Sequence, residues 1–140
     1  MNPSRHFLLC LAALLAAGAA HAQVNLGELM DLGGRKMTAA DVLALGETRL
    51  RSRRADADAD LTLRADGTAV GRVDNKQGHG SSEAIGQWRV DSGGQRCVDV
   101  ALPAFRMDLR NCSYLFRLGQ DIFFAPSDTD PEVAIVQYVR

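Results

Sequence analysis

The chain has 140 residues, with 16 Lys and Arg against 17 Asp and Glu and a formal net charge of -1. That balance excludes a general electrostatic pull toward nucleic acid or an anionic membrane. The length fits one domain with one core, and not two.

The opening stretch, MNPSRHFLLCLAALLAAGAAHAQ, reads as a secretory signal. Arg5 makes the start positive, Phe7 to Ala20 is apolar, and Ala20-His21-Ala22 offers small residues at the two positions that a signal peptidase reads. Cleavage is expected after Ala22. The apolar run is short for a membrane span, which takes about 20 residues. Cys10 lies inside this run, behind Phe7-Leu8-Leu9, and lacks the small neighbour that a lipid-modified cysteine requires. Residues 23–140 then form a single domain, with a helical segment over 23–46 and an antiparallel β region over 47–140. It is expected to be soluble, with no stable membrane insertion after cleavage.

Removing residues 1–22 leaves one histidine, His79, and two cysteines, Cys97 and Cys112. In an oxidising compartment the even pair reads as a disulfide. A metal site of Cys97, Cys112 and His79 is the rival reading. It is disfavoured because structural zinc takes four ligands, commonly in closely spaced pairs. No metal and no cofactor is expected.

Helical spacing of Leu26, Leu29, Met30 and Leu32 predicts a first short helix, stopped by Gly33-Gly34. Thr38 with Asp41 three residues on resembles a capping box at the start of a second. Met37, Val42, Leu43 and Leu45 are its expected buried stripe. From Glu47 the period becomes two. Thr48, Leu50 and Ser52 alternate with Arg49, Arg51 and Arg53. Leu61 and Leu63 lead into an Asp66-Gly67 turn, a strong hairpin signal because both residues tolerate positive φ. Gly86, Trp88 and Val90 point inward on the next strand, and Val98, Val100 and Leu102 on its return after Ser92-Gly93-Gly94-Gln95. CSYLFRL, a Gly119-Gln120 turn and DIFFA form a third hairpin. A loop between Pro126 and Pro131 precedes a last strand in VAIVQYV. The sum is an α+β fold: short N-terminal helices packed on a curved antiparallel sheet or small β-barrel of about seven strands.

Chemistry-bearing patterns are few. In GHGSSEAIGQW, His79 sits between glycines that favour mobility over the fixed geometry of a catalytic base. Ser81 and Ser82 are its near neighbours in sequence, whereas triad members converge from different segments. The stretch is expected to be a loop feeding a strand that begins near Gly86. Asp56, Asp58 and Asp60 in ADADAD have the spacing of the first calcium-loop ligands, but Leu61 and Gly67 stand where such a loop needs glycine and glutamate. Asp128, Asp130 and Glu132 fail in the same way, at Val133 and Val139. Both read as solvated acidic loops. Arg49, Arg51, Arg53 and Arg54 read as protection of a strand edge, or as neutralisers of the nearby aspartates. Trp88 reads as core. Phe105 and Met107, in a proline-started segment between the cysteines, are the candidate partner surface.

LRADGTAVGRV, then GQWRVDSGGQRCVDV, then Cys112 and RLGQDIFF, resembles small exported proteobacterial proteins in domain families without assigned function. Asp66-Gly67-Thr68, Gly71, Gly86, Trp88, Val90, Cys97, Cys112 and Phe123 or Phe124 carry the likeness, which spans roughly residues 36 to 125. It implies an all-antiparallel sheet with a disulfide, and it carries over no catalytic residue. The sequence therefore points to a non-enzymatic, periplasmic or secreted interaction protein whose partner is an envelope or secreted protein. A carrier of a small apolar ligand in the sheet interior is the alternative, and a hydrolase-type enzyme comes third.

Overall fold

The computed structural model describes residues 25–78 and 80–138. The expected signal segment and His79 lie outside the described residues.

Two short helices come first, α1 (Leu26–Asp31) and α2 (Ala39–Leu43), separated by the two-residue strand β1 (Arg35–Lys36). Each helix starts at a complete capping box. Asn25 accepts from the Glu28 N–H and Thr38 from the Asp41 N–H, while Glu28 and Asp41 each accept the N–H of the capping residue. Eight strands follow: β2 (Thr48–Arg53), β3 (Ala57–Leu63), β4 (Thr68–Asn75), β5 (Gly80–Val90), β6 (Gln95–Leu102), β7 (Met107–Leu118), β8 (Asp121–Ala125) and β9 (Val136–Tyr138). All pair antiparallel in the order β2-β3-β4-β5-β6-β7-β8-β9, and β1 adds to β7 beside its Phe116 and Arg117. Nine strands replace the expected seven or so, and β1 falls inside the segment expected to be helical.

The sheet coils into a nearly closed barrel. Its two end strands meet at one point, where the Arg49 N–H of β2 donates to the Tyr138 Oη of β9 at 3.0 Å. The coiling requires close approach of neighbouring strands at two glycines. A Cβ on Gly71 would collide with the Asp60 carbonyl and lie 2.8 Å from the Leu61 Cα; one on Gly86 would collide with the Asp99 carbonyl and lie 2.7 Å from the Val100 Cα. Only glycine lets backbones pass so near.

Inside the barrel, Leu63, Ala69, Val73, Ala84, Trp88, Val98, Val100 and Leu102 form the main core cluster. The second half of β7 is covered on both faces. Leu115 is 0 % exposed beneath Met37 and Val42 of the α2 region, and its neighbour Phe116 is 1 % exposed beneath Leu26 and Leu29 of α1. Fully burying such a side chain contributes about 1.5–3 kcal/mol, so these two positions hold the helices on the sheet. Leu43, expected in the buried stripe of α2, is exposed instead. The helix ends there after five residues, which leaves room for one buried face built on Val42.

Two segments expected to be loops are strands. β3 already begins at Ala57, so most of ADADAD is extended and alternating. Ala57 and Ala59 face the interior, while Asp58 bonds Lys76 at 2.9 Å and Asp60 meets Arg51 and Arg53 at 3.3 and 3.0 Å. β5 begins at Gly80 rather than near Gly86, with Ser82 and Ala84 buried on the inner face. Conversely, among the described residues the last strand pairs with β8 over Val136–Tyr138. Cys97 and Cys112 are direct cross-strand partners on β6 and β7, joined by a disulfide with Cα atoms 4.0 Å apart. For this sequence separation of 15, loop closure is worth about 3 kcal/mol. Among the described residues, no helix is long and apolar enough to cross a membrane.

Candidate functional site

The barrel stays open along one side. β8 pairs with β7 only from Tyr114 onward, so among the described residues Met107 to Ser113 have no strand beyond them. Between this free stretch and the outer edge of β2 lies a groove of about 1110 Å³ that reaches the barrel interior. Its volume is at the upper end of, or beyond, what drug-sized ligands occupy, about 300–1,000 Å³.

Strand alternation assigns the lining. β2 contributes Leu50 and Ser52, β3 contributes Ala57, Ala59 and Leu61, and β4 contributes Val73 and Asn75. The opposite wall is built by Arg96, Val98, Val100 and Leu102 of β6 with their partners Ser113, Asn111, Leu109 and Met107 of β7. Phe124 and Val136 close the end near β9. Small residues at Ala57 and Ala59 keep the volume open. Leu109 and Met107 face this space at 40 and 47 % exposure, so their apolar surface is left uncovered by the chain's own described residues.

Arg96 is the buried charge in this lining. It is 4 % exposed, and its Nε has no hydrogen-bond partner among the described residues. Its guanidinium lies over the Phe124 ring, 4.9 Å from the centroid. Burial lowers its pKa to about 10, with Tyr138 opposing that shift. Even so lowered, it is a cation at neutral pH.

The residues singled out by sequence fall into three places. Asp66, Gly67, Gly86 and Trp88 meet at the closed side. Asp66 accepts from the Thr68 N–H at 2.9 Å and its hydroxyl at 2.6 Å, Gly67 takes φ +87°, and its carbonyl accepts from the Trp88 N–H. The Trp88 indole donates to the Arg64 carbonyl at 2.7 Å, which ties β5 to the β3–β4 hairpin. Cys97 and Cys112 occupy alternate positions to Arg96 and Val98 and so belong to the opposite face of the sheet. Phe105 ends a 3-10 turn (Pro103–Phe105) and packs against the core, with Ser82 Oγ accepting the Ala104 N–H at 3.1 Å. Phe105 and Met107 both line the groove, and Met107 stays exposed there.

Arg49 and its neighbours occupy the edge strand. Arg51, Arg53 and Arg54 are exposed and paired with Asp60 or Asp56. Among the described residues, no group of three or more His, Cys, Asp or Glu is placed to hold a metal ion. Arg96, Ser113 and Tyr138 were not singled out by sequence. The signal for Arg96 was available: counting back by two from Leu102, Val100 and Val98 puts it on the inner face.

Compared with known proteins, the chain matches no family model, no curated sequence and no solved structure.

Proposed function

We propose that the protein is a non-enzymatic binding module that holds a small apolar ligand in the groove between β2 and β7. The observation that carries this reading is a space of about 1110 Å³ lined by Leu50, Leu61, Val98, Val100 and Leu109 and open to solvent. Apolar side chains bordering water in a concavity gain free energy when a ligand covers them, at roughly 25 cal/mol per Å². A rigid barrel with a disulfide across adjacent strands suits a preformed site, which loses little entropy on binding.

Nile red, a neutral apolar dye, tests the reading. Saturable one-to-one fluorescence enhancement is expected with the wild type, and its loss is expected in Ala59→Trp, which fills the groove from β3. Enhancement that does not saturate, or that survives Ala59→Trp unchanged, would sink it.

A second reading is favoured by the free stretch of β7. Met107 to Ser113, paired with β6 on one side, have no strand on their other edge among the described residues; beside exposed Met107 and Leu109, this is a place where an extended segment of an envelope or secreted protein adds as a strand. Uptake of an extended peptide without uptake of Nile red would favour it. In both readings the protein acts after export to the periplasm or beyond, with cleavage following Ala22. The Cys97–Cys112 disulfide supports an oxidising compartment. The likeness to exported proteobacterial domains fits the same assignment.

A further inference from the structure

A buried arginine without a carboxylate partner costs stability. Desolvation of the charge is compensated only when hydrogen bonds and an opposite charge replace water. Arg96 has a ring beneath it and no hydrogen bond at Nε among the described residues. Among these residues, no carboxylate forms an ion pair with it. A core position of this kind would be better filled by methionine if packing alone decided it. The guanidinium also lines the groove, at the end where β9 comes nearest to β2.

Its surroundings are those of an anion seat. Ser113, the cross-strand partner of Arg96, places a hydroxyl on the same wall. Tyr138 Oη already accepts the Arg49 N–H, so its own hydrogen is left to donate elsewhere. From Arg96 the wall runs apolar through Val98 and Val100 to Leu102, a span of about 20 Å at the rise of an extended strand. That length suits an extended fatty-acyl chain. Among the described residues, charged side chains around the groove are arginines at positions 51, 53, 54 and 96, against the single acid Asp56. The three outer arginines are exposed and paired, so they add little to the field. Arg96 is the buried one.

We infer that Arg96, with the hydroxyls of Ser113 and Tyr138, seats the carboxylate of a single-chain amphiphile whose hydrocarbon tail lies along Val98, Val100 and Leu102. This inference rests on the groove being a ligand site and names the class of ligand. A carboxylate meets the planar guanidinium through paired N–H donors, which an alcohol or an alkane end does not match.

Calorimetric titration with dodecanoate below its micelle concentration and with dodecanol below its solubility limit separates the two levels. The wild type is expected to prefer dodecanoate by at least about tenfold, the lower end of the worth of a hydrogen bond to a charged group. Arg96→Met is expected to bring the two affinities within a few-fold while retaining dodecanol. Tyr138→Phe, which keeps the guanidinium, is expected to weaken dodecanoate alone. Arg96→Met should also melt higher than the wild type without ligand, because an uncompensated charge has been removed. Equal affinities in the wild type would overturn the anion seat and leave the groove reading standing. Binding of neither probe would overturn both. A lower melting temperature in Arg96→Met would show the guanidinium to be held by the protein's own groups and would overturn its role as a waiting anchor.

Discussion

Gly86 shows how a single side chain's absence shapes the molecule. It faces the interior beside Val100, and the Asp99 carbonyl occupies the space that a Cβ would need. Gly71 has the same relation to the Asp60 carbonyl. In both places the obstacle is backbone, which cannot swing aside as a side chain would. Gly86→Ala should therefore destabilise by about 2–3 kcal/mol or more, at the upper end of overpacking costs. Urea unfolding of the variant would measure it. A loss below about 0.5 kcal/mol would mean that β5 and β6 are less tightly coiled than described. Trp88 works at the same scale. Its alternation with Val90 and the bond of its indole to the Arg64 carbonyl make it a tie between hairpin and strand, not an exposed ligand platform.

At the scale of elements, the two helices depend on their caps. α2 has only five residues, too short to hold together without its ends. The Asp41 carboxylate accepts the Thr38 N–H at 2.9 Å and the Thr38 hydroxyl at 2.9 Å. These bonds hold its pKa below the ordinary 3.8. A depressed carboxylate contributes stability that is present above its unfolded value and lost as pH falls through its folded one. Asp41→Ala should therefore melt below the wild type at neutral pH, and the gap should narrow as pH drops below 3.8. A gap constant through the acid range would remove the cap from the account.

Elements also differ in how far their sequence announced them. The capping residues Thr38 and Asp41, the Asp66-Gly67 turn and the strands carrying Trp88 and Val98 were legible because each signal is local and chemically particular. ADADAD and GSSEAI were not, because the inward residues there are Ala57, Ala59, Ser82 and Ala84. These are too small or too polar to stand out against their neighbours, although they alternate as strictly as the leucines. Two of these small side chains, Ala57 and Ala59, also keep the groove open. Thus part of the candidate site was hidden by the property that makes it a site. The opening itself was invisible for another reason: it depends on β8 ending at Ala125 opposite Tyr114 rather than running on to Met107, a matter of long-range register.

Across the whole molecule, the sheet leaves different surfaces to different tasks. Its closed side is pinned by the Asp66–Gly67 hairpin and Trp88, and the second half of β7 is covered by α1 outside and α2 inside. The disulfide joins β6 to β7 beside the open wall, on the face opposite Val98. It holds together the two strands that carry Arg96, Leu109 and Ser113. Rigid walls around an uncovered apolar floor are what a preformed ligand site requires, and the buried cation at one end gives it polarity.

The most direct test of the groove as a binding site is a titration of isotope-labelled protein with dodecanoate, followed by backbone and methyl chemical shifts. Saturable shifts are expected on Leu50, Ala59, Val98, Val100 and Leu109, with Ile85 on the far face of the sheet unmoved. No saturable shifts, or shifts confined to the outer face around Ile85, would contradict it.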